Sequence, residues 1–504
     1  MVSHFCWGCL SGLRQTPRAL LPRPPSCLPS ATAAFHTSAA RYANPMKKKS
    51  NSMEGPPKYR QAKSARMKKK KVIEKPKPPA VGERKALRKR IVLSNANALE
   101  VPGMQDLSVE TMVDSRLRGS VVGLPVAMLD QLRAVQAFKP TQGWSIFRRP
   151  GTVLRRETLE MGRLFERISD GPEKGIVVKK IITGMRGTGK SVHLLQAMAM
   201  GFLKKWVVFT VPEAQDLVIA HTAYAPLPDS KPTQYVQKDA TSALLLRTAL
   251  ANKEVLSELH ISQEHPALKA FVRPNMNLEE LARLGVQDAS IAWPVFQALW
   301  SELTATEAKV NEKEFKPRPP MVVTVDGLAH WMMDSKYRSA DFEPIHAHDL
   351  VFVKHFLSLL QPGGAKPTLP NGGILLYSTT ASNNPTVYTF EVVLKQLAAR
   401  QRGVDPSSPD FPRPDPYAKV DERVLNLFDS AVSKPQSPRE KALELQTLGG
   451  LNRDEARGFM EYFARSGILR EKVTEEWVGE KWSLAGGGII GEMEKLGRRL
   501  RTAL

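Results

Sequence analysis

The chain has 504 residues, of which 42% are hydrophobic and 24% charged, an ordinary globular composition with room for two or three domains. Its net charge of +23 is unevenly placed, because residues 1–90 carry 22 Lys and Arg against three acids (+19), whereas residues 91–504 carry only +4. All three cysteines lie in the first 27 residues, so a chain without this segment has no disulfide framework and no cysteine-based metal site. No run of 18 apolar residues occurs, so the sequence does not support a transmembrane helix.

Residues 1–45 have the composition of a mitochondrial transit peptide. The first acid in the chain is Glu54, and arginines, serines and threonines precede it, as is typical of mitochondrial import signals. Prolines, among them Pro17 and Pro22, interrupt the amphipathic helix that such signals form. A basic tail on a cytosolic protein is the alternative, and a secretory signal is disfavoured because no compact apolar stretch precedes a cleavage site. The predicted location is the mitochondrial matrix.

Residues 46–104 form the second predicted region, a basic arm. The segment 46–90 is rich in Lys, Arg and Pro and cannot bury enough apolar surface to fold alone, so the arm is predicted to be disordered. Its charge comes almost without aromatic residues, since Tyr59 is the only one in 46–90. Such an arm is expected to contact phosphates of a polyanion, with weak sequence selectivity and a strong salt dependence. A solvated linker is the alternative.

Globular patterning begins near Leu107. Residues 105–172 are predicted to be a mainly helical segment, with a helix that starts near Pro125. Residues 173–402 alternate apolar runs with helical patterns, which predicts a mostly parallel α/β sheet covered on both faces. The apolar runs that predict its strands are 176–182, 206–211, 321–325 and 373–377.

Five prolines between Pro406 and Pro416 mark a linker. Beyond it, residues 417–504 are predicted to form a helical, winged-helix-like C-terminal domain, with turns at the glycine clusters 449–450 and 486–488. The predicted fold class is therefore α/β: a P-loop NTPase-type parallel sheet covered by helices, followed by this domain and preceded by the basic arm.

One motif carries a definite chemistry. The pattern G-x-x-x-x-G-K-[ST], in which glycines let backbone amides curl around phosphate oxygens, occurs once, between a predicted strand and a predicted helix. The residues predicted to bind the nucleotide here are Gly184, Met185, Arg186, Gly187, Thr188, Gly189, Lys190 and Ser191. Lys190 would reach the β- and γ-phosphates, and the Ser191 hydroxyl would ligate Mg²⁺. A glycine-rich turn with a solvated lysine is the alternative.

The strand at 321–325 closes on Asp326, as in a Walker B strand, where the carboxylate holds Mg²⁺ directly or through water. Asp326 is therefore the second predicted metal-binding residue beside Ser191. Strands that end in Asp-Gly turns without any metal are also common. Position 327 is glycine, so no catalytic base is supplied next to the aspartate, and slow hydrolysis or none is expected.

Polar residues also follow the strand at 373–377, and Ser378 is the one predicted to lie beside the nucleotide. An ordinary transition from strand to loop explains the same residues equally well. Asn252-Lys253-Glu254-Val255 lacks the aspartate of the guanine signature Asn-Lys-x-Asp, so the base is not identified by that motif.

Several of these segments together resemble the death-associated protein family of mitochondrial small-subunit ribosomal proteins, in a fungal-type version. The segments that carry the resemblance, which extends over roughly 105–504, are 184–191 (Gly-Met-Arg-Gly-Thr-Gly-Lys-Ser), 323–329 (Val-Thr-Val-Asp-Gly-Leu-Ala), 334–338 (Asp-Ser-Lys-Tyr-Arg), 372–380 (Gly-Gly-Ile-Leu-Leu-Tyr-Ser-Thr-Thr), 448–457 (Leu-Gly-Gly-Leu-Asn-Arg-Asp-Glu-Ala-Arg) and 461–469 (Glu-Tyr-Phe-Ala-Arg-Ser-Gly-Ile-Leu). The resemblance implies GTP or GDP with Mg²⁺, with ATP left possible, and a place in the mitoribosomal small subunit. It also implies contacts with small-subunit rRNA and neighbouring mitoribosomal proteins.

Three functions are compatible with the sequence. The first is a structural ribosomal protein whose bound nucleotide stabilises its fold or an interface. The second is an active mitochondrial P-loop ATPase or GTPase that acts as a switch or remodelling factor, and the third is an RNA-binding protein with a vestigial phosphate loop. Gly327 favours the first over the second, and the complete motif at 184–191 counts against the third.

Overall fold

A computed structural model describes residues 91–273, 275–310, 315–380, 385–432 and 435–499. The predicted transit peptide (1–45) and most of the predicted basic arm (46–90) lie outside these ranges. The strands are β1 (Val121–Gly123), β2 (Gly151–Val153), β3 (Val177–Thr183), β4 (Val207–Val211), β5 (Ala225–Pro226), β6 (Tyr235–Val236), β7 (Met321–Asp326), β8 (Asp334–Arg338), β9 (Pro344–His346), β10 (Gly373–Ser378) and β11 (Glu444–Thr447).

The α-helices connect and cover these strands. They are α1 (Val126–Ala134), α2 (Arg156–Ser169), α3 (Lys190–Leu203), α4 (Lys238–Ala251), α5 (Lys253–Ser257), α6 (Leu278–Gln287), α7 (Ala292–Thr304), α8 (Val351–Ser358), α9 (Tyr388–Gln401), α10 (Glu422–Val432), α11 (Arg453–Arg465), α12 (Glu475–Leu484) and α13 (Ile490–Arg499). None of the helices in the described ranges is both long and apolar enough to cross a membrane.

Five strands form a parallel sheet in the order β11-β3-β10-β7-β4. Successive residues of its central strands are buried against opposite faces: Val177 and Ile181 of β3 pack into one core, and Val178 and Ile182 pack into the other. Burial on both faces explains why these strands are continuous apolar runs rather than alternating ones. The predicted parallel α/β sheet covered by helices is confirmed, with the four predicted strands in place.

The two faces are covered by different parts of the chain. Helices α1, α2 and α3 pack on the face that contains Val178, while α4, α6, α7, α8, α9 and α10 pack on the face that contains Val177. Helix α3, which follows β3, is thus on the opposite face from α9 and α10, which follow β10. A crevice opens at the carboxyl edge of a parallel sheet where connections diverge in this way.

The structure adds a strand that the sequence analysis missed. β11 lies within the segment predicted to be helical and pairs in parallel with β3, Leu445 standing opposite Ile181. The strand has four residues, Glu-Leu-Gln-Thr, and a run this short gives no period-two signal. The segment 417–504 therefore completes the sheet before it contributes α11, α12 and α13.

Helices α11, α12 and α13 pack around a separate small core that includes Met460, Val478 and Met493, together with Val153 of β2. Helix α11 begins with a complete capping box between Asn452 and Glu455, which fixes its start. No strand occurs between residues 448 and 499, all of which are described, so this range contains no wing of the predicted winged-helix-like kind.

The segment before the sheet differs from the prediction in two respects. Residues 105–172 contain the antiparallel pair β1–β2 as well as helices. Residues 91–104, assigned to the arm, pack on the body: Leu93 is buried, and the backbone amide of Asn95 donates to Phe147 O at 2.8 Å. The apolar residues of this stretch, such as Leu93, distinguish it from the Lys-rich sequence before it.

Candidate functional site

The glycine-rich segment forms a tight loop between β3 and α3. Gly184 has φ of +147° and Gly189 has φ of +90°, backbone conformations that side chains strongly disfavour. A Cβ atom at Gly184 would also collide with the carbonyl oxygen of Leu448. Gly189 is the N-cap of α3 and provides no side-chain cap, so the first amides of this helix have no intrahelical acceptor and are available to an anion.

Lys190 is buried at the start of α3. Its Nζ atom donates to the carbonyl oxygens of Gly184 at 2.7 Å and Met185 at 2.9 Å, so the side chain folds back over its own loop. Burial lowers the pKa of Lys190, and the negative charge of Asp326 acts in the opposite direction. Both of these hydrogen bonds end on carbonyl oxygens, which carry no net charge and so do not neutralise the Lys190 ammonium.

Asp326 is where three of the predicted site residues meet. Ser191 Oγ donates to its Oδ2 at 2.7 Å, and Ser378 Oγ donates to its Oδ1 at 2.6 Å. The contact follows from the sheet, because β10 lies between β3 and β7 and its register places Ser378 directly opposite Asp326. The carboxyl edge therefore brings Ser191, Asp326 and Ser378 together, although they are far apart in the sequence.

The remaining predicted residues shape the loop or face outwards. Thr188 is buried, and its Oγ1 donates to Met185 O at 2.9 Å, which closes the turn. The side chains of Met185 and Arg186 are exposed. Gly187 accepts a hydrogen bond of 2.9 Å from the amide of Gly491 in α13, so the C-terminal helix rests directly on the loop.

The loop opens into a cavity of about 600 Å³ with three walls. One wall is the loop with the carboxyl edge of the sheet, the second is formed by residues 139–155, and the third is one side of α13. The charged residues that line it are Lys139, Arg155, Arg186, Lys190, Lys495, Arg498, Glu213, Asp326, Glu492 and Glu494. Six of these side chains are basic and four are acidic, a balance that favours an anionic ligand.

Several of these residues were not predicted from the sequence. Lys139 Nζ lies 3.2 Å from Asp326 Oδ2 and 3.3 Å from Glu213 Oε1. Glu213 lies just beyond the carboxyl end of β4, and Asp326 is the last residue of β7, so the rule that ligand-binding residues lie at the carboxyl ends of parallel strands could have identified Glu213. Lys139 lies before the sheet in the sequence, and no spacing signal connects it to the motif.

Arg155, also unpredicted, ties the loop to the C-terminal part of the chain. Its buried guanidinium donates to Thr188 O at 3.0 Å and to Gly449 O at 3.2 Å, and its Nε atom lies 2.7 Å from the Glu157 carboxylate. One side chain thus satisfies carbonyls of two segments that are distant in sequence. Arg155 positions the loop.

The cavity floor behind Ser191 is polar but uncharged. His193 is buried, and burial together with the charge of Arg155 lowers its pKa to about 4, so it is neutral at physiological pH. Its Nδ1 atom lies 3.3 Å from Gln196 Oε1, and Gln196 Nε2 donates to Thr152 Oγ1 at 2.7 Å. This network joins α3 to β2 and fixes the wall formed by residues 139–155.

The arrangement has the parts of a site for a phosphorylated ligand. Uncapped amides and Lys190 face one end of the cavity, where phosphate oxygens would be bound. A hydroxyl and a carboxylate oxygen that already lie 2.7 Å apart are the hard oxygen ligands that Mg²⁺ prefers, and Mg²⁺ usually completes its octahedron with phosphate oxygens and water. The donor set of Ser191 and Asp326 fits this ion.

Comparison with known proteins identifies the family. The family described as mitochondrial ribosomal death-associated protein 3 matches residues 152–496, more than half of the chain. The chain belongs to this family. The matched range begins at β2 and ends in α13, so it includes the loop, Asp326, Ser378 and the helix that covers them, but begins after Lys139.

Among the relatives of this death-associated protein 3 family member is small ribosomal subunit protein mS29 of Neurospora crassa. The two are 41% identical over 429 residues, and the alignment covers 85% of each chain. The resemblance to a fungal-type member of the family is therefore confirmed. A solved structure, the closed-state cryo-EM reconstruction of Hsp104 with ATPγS and FITC casein, matches 68% of this chain and 43% of that chain at 11% identity and a TM-score of 0.25.

Proposed function

We propose that this protein is a structural component of the mitoribosomal small subunit that binds a purine nucleotide with Mg²⁺ at the carboxyl edge of its sheet. The protein is located in the mitochondrion, in the mitoribosome, as its family and its Neurospora crassa relative show. As a small-subunit protein it takes part in mitochondrial translation and assembles with rRNA and other ribosomal proteins. Nucleotide binding goes beyond the comparisons and is argued from the site.

The observation that carries the nucleotide proposal is the hydrogen-bonded set of Ser191, Asp326 and Ser378 beneath the loop that contains Lys190. A chance glycine-rich turn has no reason to lie over a partly buried, hydrogen-bonded serine–aspartate pair at the mouth of a cavity of about 600 Å³. A cavity of this size is within the range that small-molecule and cofactor sites occupy.

The topology supports a P-loop NTPase-type fold. The loop lies between a strand and a helix at the edge of the sheet where neighbouring connections leave towards opposite faces, which is where open parallel sheets bind their ligands. β10 separates the strand that leads to the loop from the strand that carries Asp326, which places Ser378 between the two. The order of the strands thus gives each predicted site residue its position.

The role of the nucleotide in this proposal is to stabilise the folded chain by joining separate segments. Its cavity is formed by residues 139–155, by the sheet edge and by α13, so one ligand would contact three parts of the chain. A ligand that binds only the folded state stabilises it in proportion to the logarithm of its concentration over its dissociation constant. Position 327 is glycine, and the nearby carboxylate of Glu213 is paired with Lys139, so neither position 327 nor Glu213 supplies a free carboxylate base next to Asp326.

The resemblance, and not any contact in the cavity, favours a guanine nucleotide, GTP or GDP, over ATP. The test is to purify the full-length protein without added nucleotide, denature it and identify the released nucleotide by chromatography. The expected result is close to one guanine nucleotide per chain, and none from the Lys190→Ala variant. Lys204→Ala, at the other end of α3, is the matched control. An empty protein that binds neither GTP, GDP nor ATP would overturn the proposal.

A further inference from the structure

Lys139 places a positively charged side chain beside Asp326, one of the two predicted Mg²⁺ ligands. Its Nζ atom donates to Pro212 O at 2.5 Å and lies 3.3 Å from Glu213 Oε1 and 3.2 Å from Asp326 Oδ2. The side chain is largely buried, with 17% of it exposed. An ammonium among three oxygens in a partly buried setting is a strongly held charge.

The turn that carries Lys139 is built to hold this position. The backbone amide of Lys139 donates to Gln142 Oε1 at 2.8 Å, and the indole Nε1 of Trp144 donates to the same oxygen at 2.5 Å. Phe138 and Trp144 pack edge to face, with ring centroids 5.0 Å apart, and both are buried. The lysine is therefore fixed at its base as well as at its tip, unlike a flexible surface lysine.

The oxygen that Lys139 faces is also the one that Mg²⁺ would need. Ser191 donates to Asp326 Oδ2, the same atom that lies 3.2 Å from Lys139 Nζ. Mg²⁺ binds oxygen at about 2.0–2.1 Å and tolerates little deviation from octahedral geometry. Two cations that share one carboxylate oxygen in a partly buried site repel each other. The ammonium and a directly bound Mg²⁺ thus compete for Asp326.

We propose that Lys139 is a tethered counter-cation of the nucleotide site, which neutralises Asp326 and supports phosphate binding in the absence of Mg²⁺. The proposal rests on the proposed nucleotide-binding function. Its consequence is that nucleotide affinity depends only weakly on Mg²⁺. This property suits a nucleotide retained for structure, because fluctuations in free Mg²⁺ do not release it.

The first experiment measures the affinity of the full-length protein for GDP by calorimetry, after removal of bound nucleotide, in EDTA and in excess Mg²⁺. The natural protein is expected to bind with affinities that differ by roughly threefold or less. Lys139→Met should lose roughly tenfold or more in EDTA, because the negative charge of Asp326 would then repel the phosphates, and much less in Mg²⁺. Lys139→Gln, a shorter neutral replacement, should do the same, whereas Lys139→Arg should retain most of the affinity in EDTA.

The matched control is Lys204→Met. Lys204 Nζ lies 3.2 Å from the Asp170 carboxylate, and its side chain is mostly buried, but it lies at the opposite end of α3 from the loop. The Lys204→Met variant should bind GDP with the same affinity as the natural protein, both with and without Mg²⁺. The deciding quantity is the affinity for GDP in excess Mg²⁺ divided by the affinity in EDTA. If this ratio is the same for Lys139→Met, Lys139→Gln and the control, the counter-cation role is wrong.

A second measurement needs no nucleotide and separates this proposal from the proposed function. Mn²⁺ prefers the same kinds of oxygen ligand as Mg²⁺ and is titrated into the nucleotide-free protein. Its binding is followed by electron paramagnetic resonance. Lys139→Met should bind Mn²⁺ roughly tenfold more tightly than the natural protein or Lys204→Met, since a competing charge has been removed. Equal Mn²⁺ affinity would contradict the counter-cation. A natural protein that binds no nucleotide would instead overturn the proposed function and leave the Mn²⁺ comparison to decide this proposal.

Discussion

Ser378 Oγ lies 2.6 Å from Asp326 Oδ1 and donates a hydrogen bond to it. Neither residue is near the other in sequence, and the contact exists because β10 and β7 run parallel with these two residues in register. With Ser191 on the other oxygen, the carboxylate is held on both sides. Asp326 is thus oriented before any ligand arrives, and a pre-oriented carboxylate loses less entropy when it binds a cation.

Ser378→Ala tests this orientation. Ser378 is fully buried, so its removal leaves Oδ1 of Asp326 without this partner and should lower the free energy of unfolding by about 1–2 kcal/mol. Nucleotide affinity in Mg²⁺ should also fall several-fold. Chemical denaturation and calorimetry measure the two effects. Ser358→Ala is the control, since the Ser358 hydroxyl is exposed and bonds only to its own helix. An affinity equal to that of the control would show that Asp326 does not need Ser378.

Gly184→Ala tests the loop. Gly184 combines φ of +147° with a Cβ position that collides with Leu448 O, so alanine should destabilise the protein by about 2 kcal/mol or more and distort the amides proposed to bind phosphate. Gly449→Ala, beside Leu448, is the matched comparison, because nothing lies within 4 Å of the Cβ it would add. Thermal unfolding of the two variants gives the result. Equal stability of the two variants would mean that the loop adopts a different conformation in solution.

His355 gives a prediction about pH. Its ring lies among Phe296, Trp300 and Trp293, its Nε2 atom has no hydrogen-bond partner among the described residues, and burial lowers its pKa to about 4. The unfolded value is about 6.5, so protonation favours the unfolded chain. The resulting loss of stability is absent above pH ~6.5 and grows as the pH falls towards 4, reaching ~2 kcal/mol at pH 5.

The variant His355→Phe removes this titration. Its free energy of unfolding should exceed that of the natural protein by ~2 kcal/mol more at pH 5 than at pH 7.5, as measured by denaturant titration at both values. His221→Phe, at an exposed position, should keep the natural pH dependence. Parallel curves for the natural protein and His355→Phe would show that His355 does not contribute to acid sensitivity.

The basic arm gives a prediction from composition alone, since residues 46–90 lie outside the described ranges. This segment carries 18 Lys and Arg against three acids and one aromatic residue, so its contact with rRNA should be mainly with phosphates. Deletion of 46–90 should weaken RNA binding at low salt and flatten the slope of log affinity against log salt. Equal affinities and slopes for the two chains would show that the folded body makes the RNA contact.

The sequence predicted the parts of the site that lie on the sheet and missed the parts brought by tertiary packing. The glycine pattern located the loop, and the apolar run before Asp326 located its strand, because buried parallel strands are long apolar runs that end at a common edge. The same logic placed Ser378. These inferences need only the local sequence pattern and the general rule that binding residues lie at the carboxyl ends of parallel strands.

The rule about the carboxyl ends of strands does not predict the positions of Lys139, Arg155 and α13. They reach the loop because the segments before and after the sheet fold back onto it, and their positions depend on packing that a single sequence does not display. β11 was missed for a different reason. Its four residues include one strongly apolar side chain, so the strand is defined by its hydrogen-bonding partner β3 rather than by its own pattern.

If the nucleotide stabilises the protein and is not turned over, Lys190→Ala should change the melting temperature rather than a catalytic output. Melting curves are recorded for the natural protein, Lys190→Ala and Lys204→Ala, each with and without GDP and Mg²⁺, and hydrolysis of GTP is followed in the same samples. At a hundredfold excess over the dissociation constant, nucleotide should add about 2.7 kcal/mol to the natural protein and to Lys204→Ala, and little to Lys190→Ala, with no multiple turnover in any sample. If the natural protein instead hydrolyses GTP over multiple turnovers, and Lys190→Ala abolishes this activity without changing the melting temperature, the nucleotide does not act as a structural ligand and the protein is an enzyme.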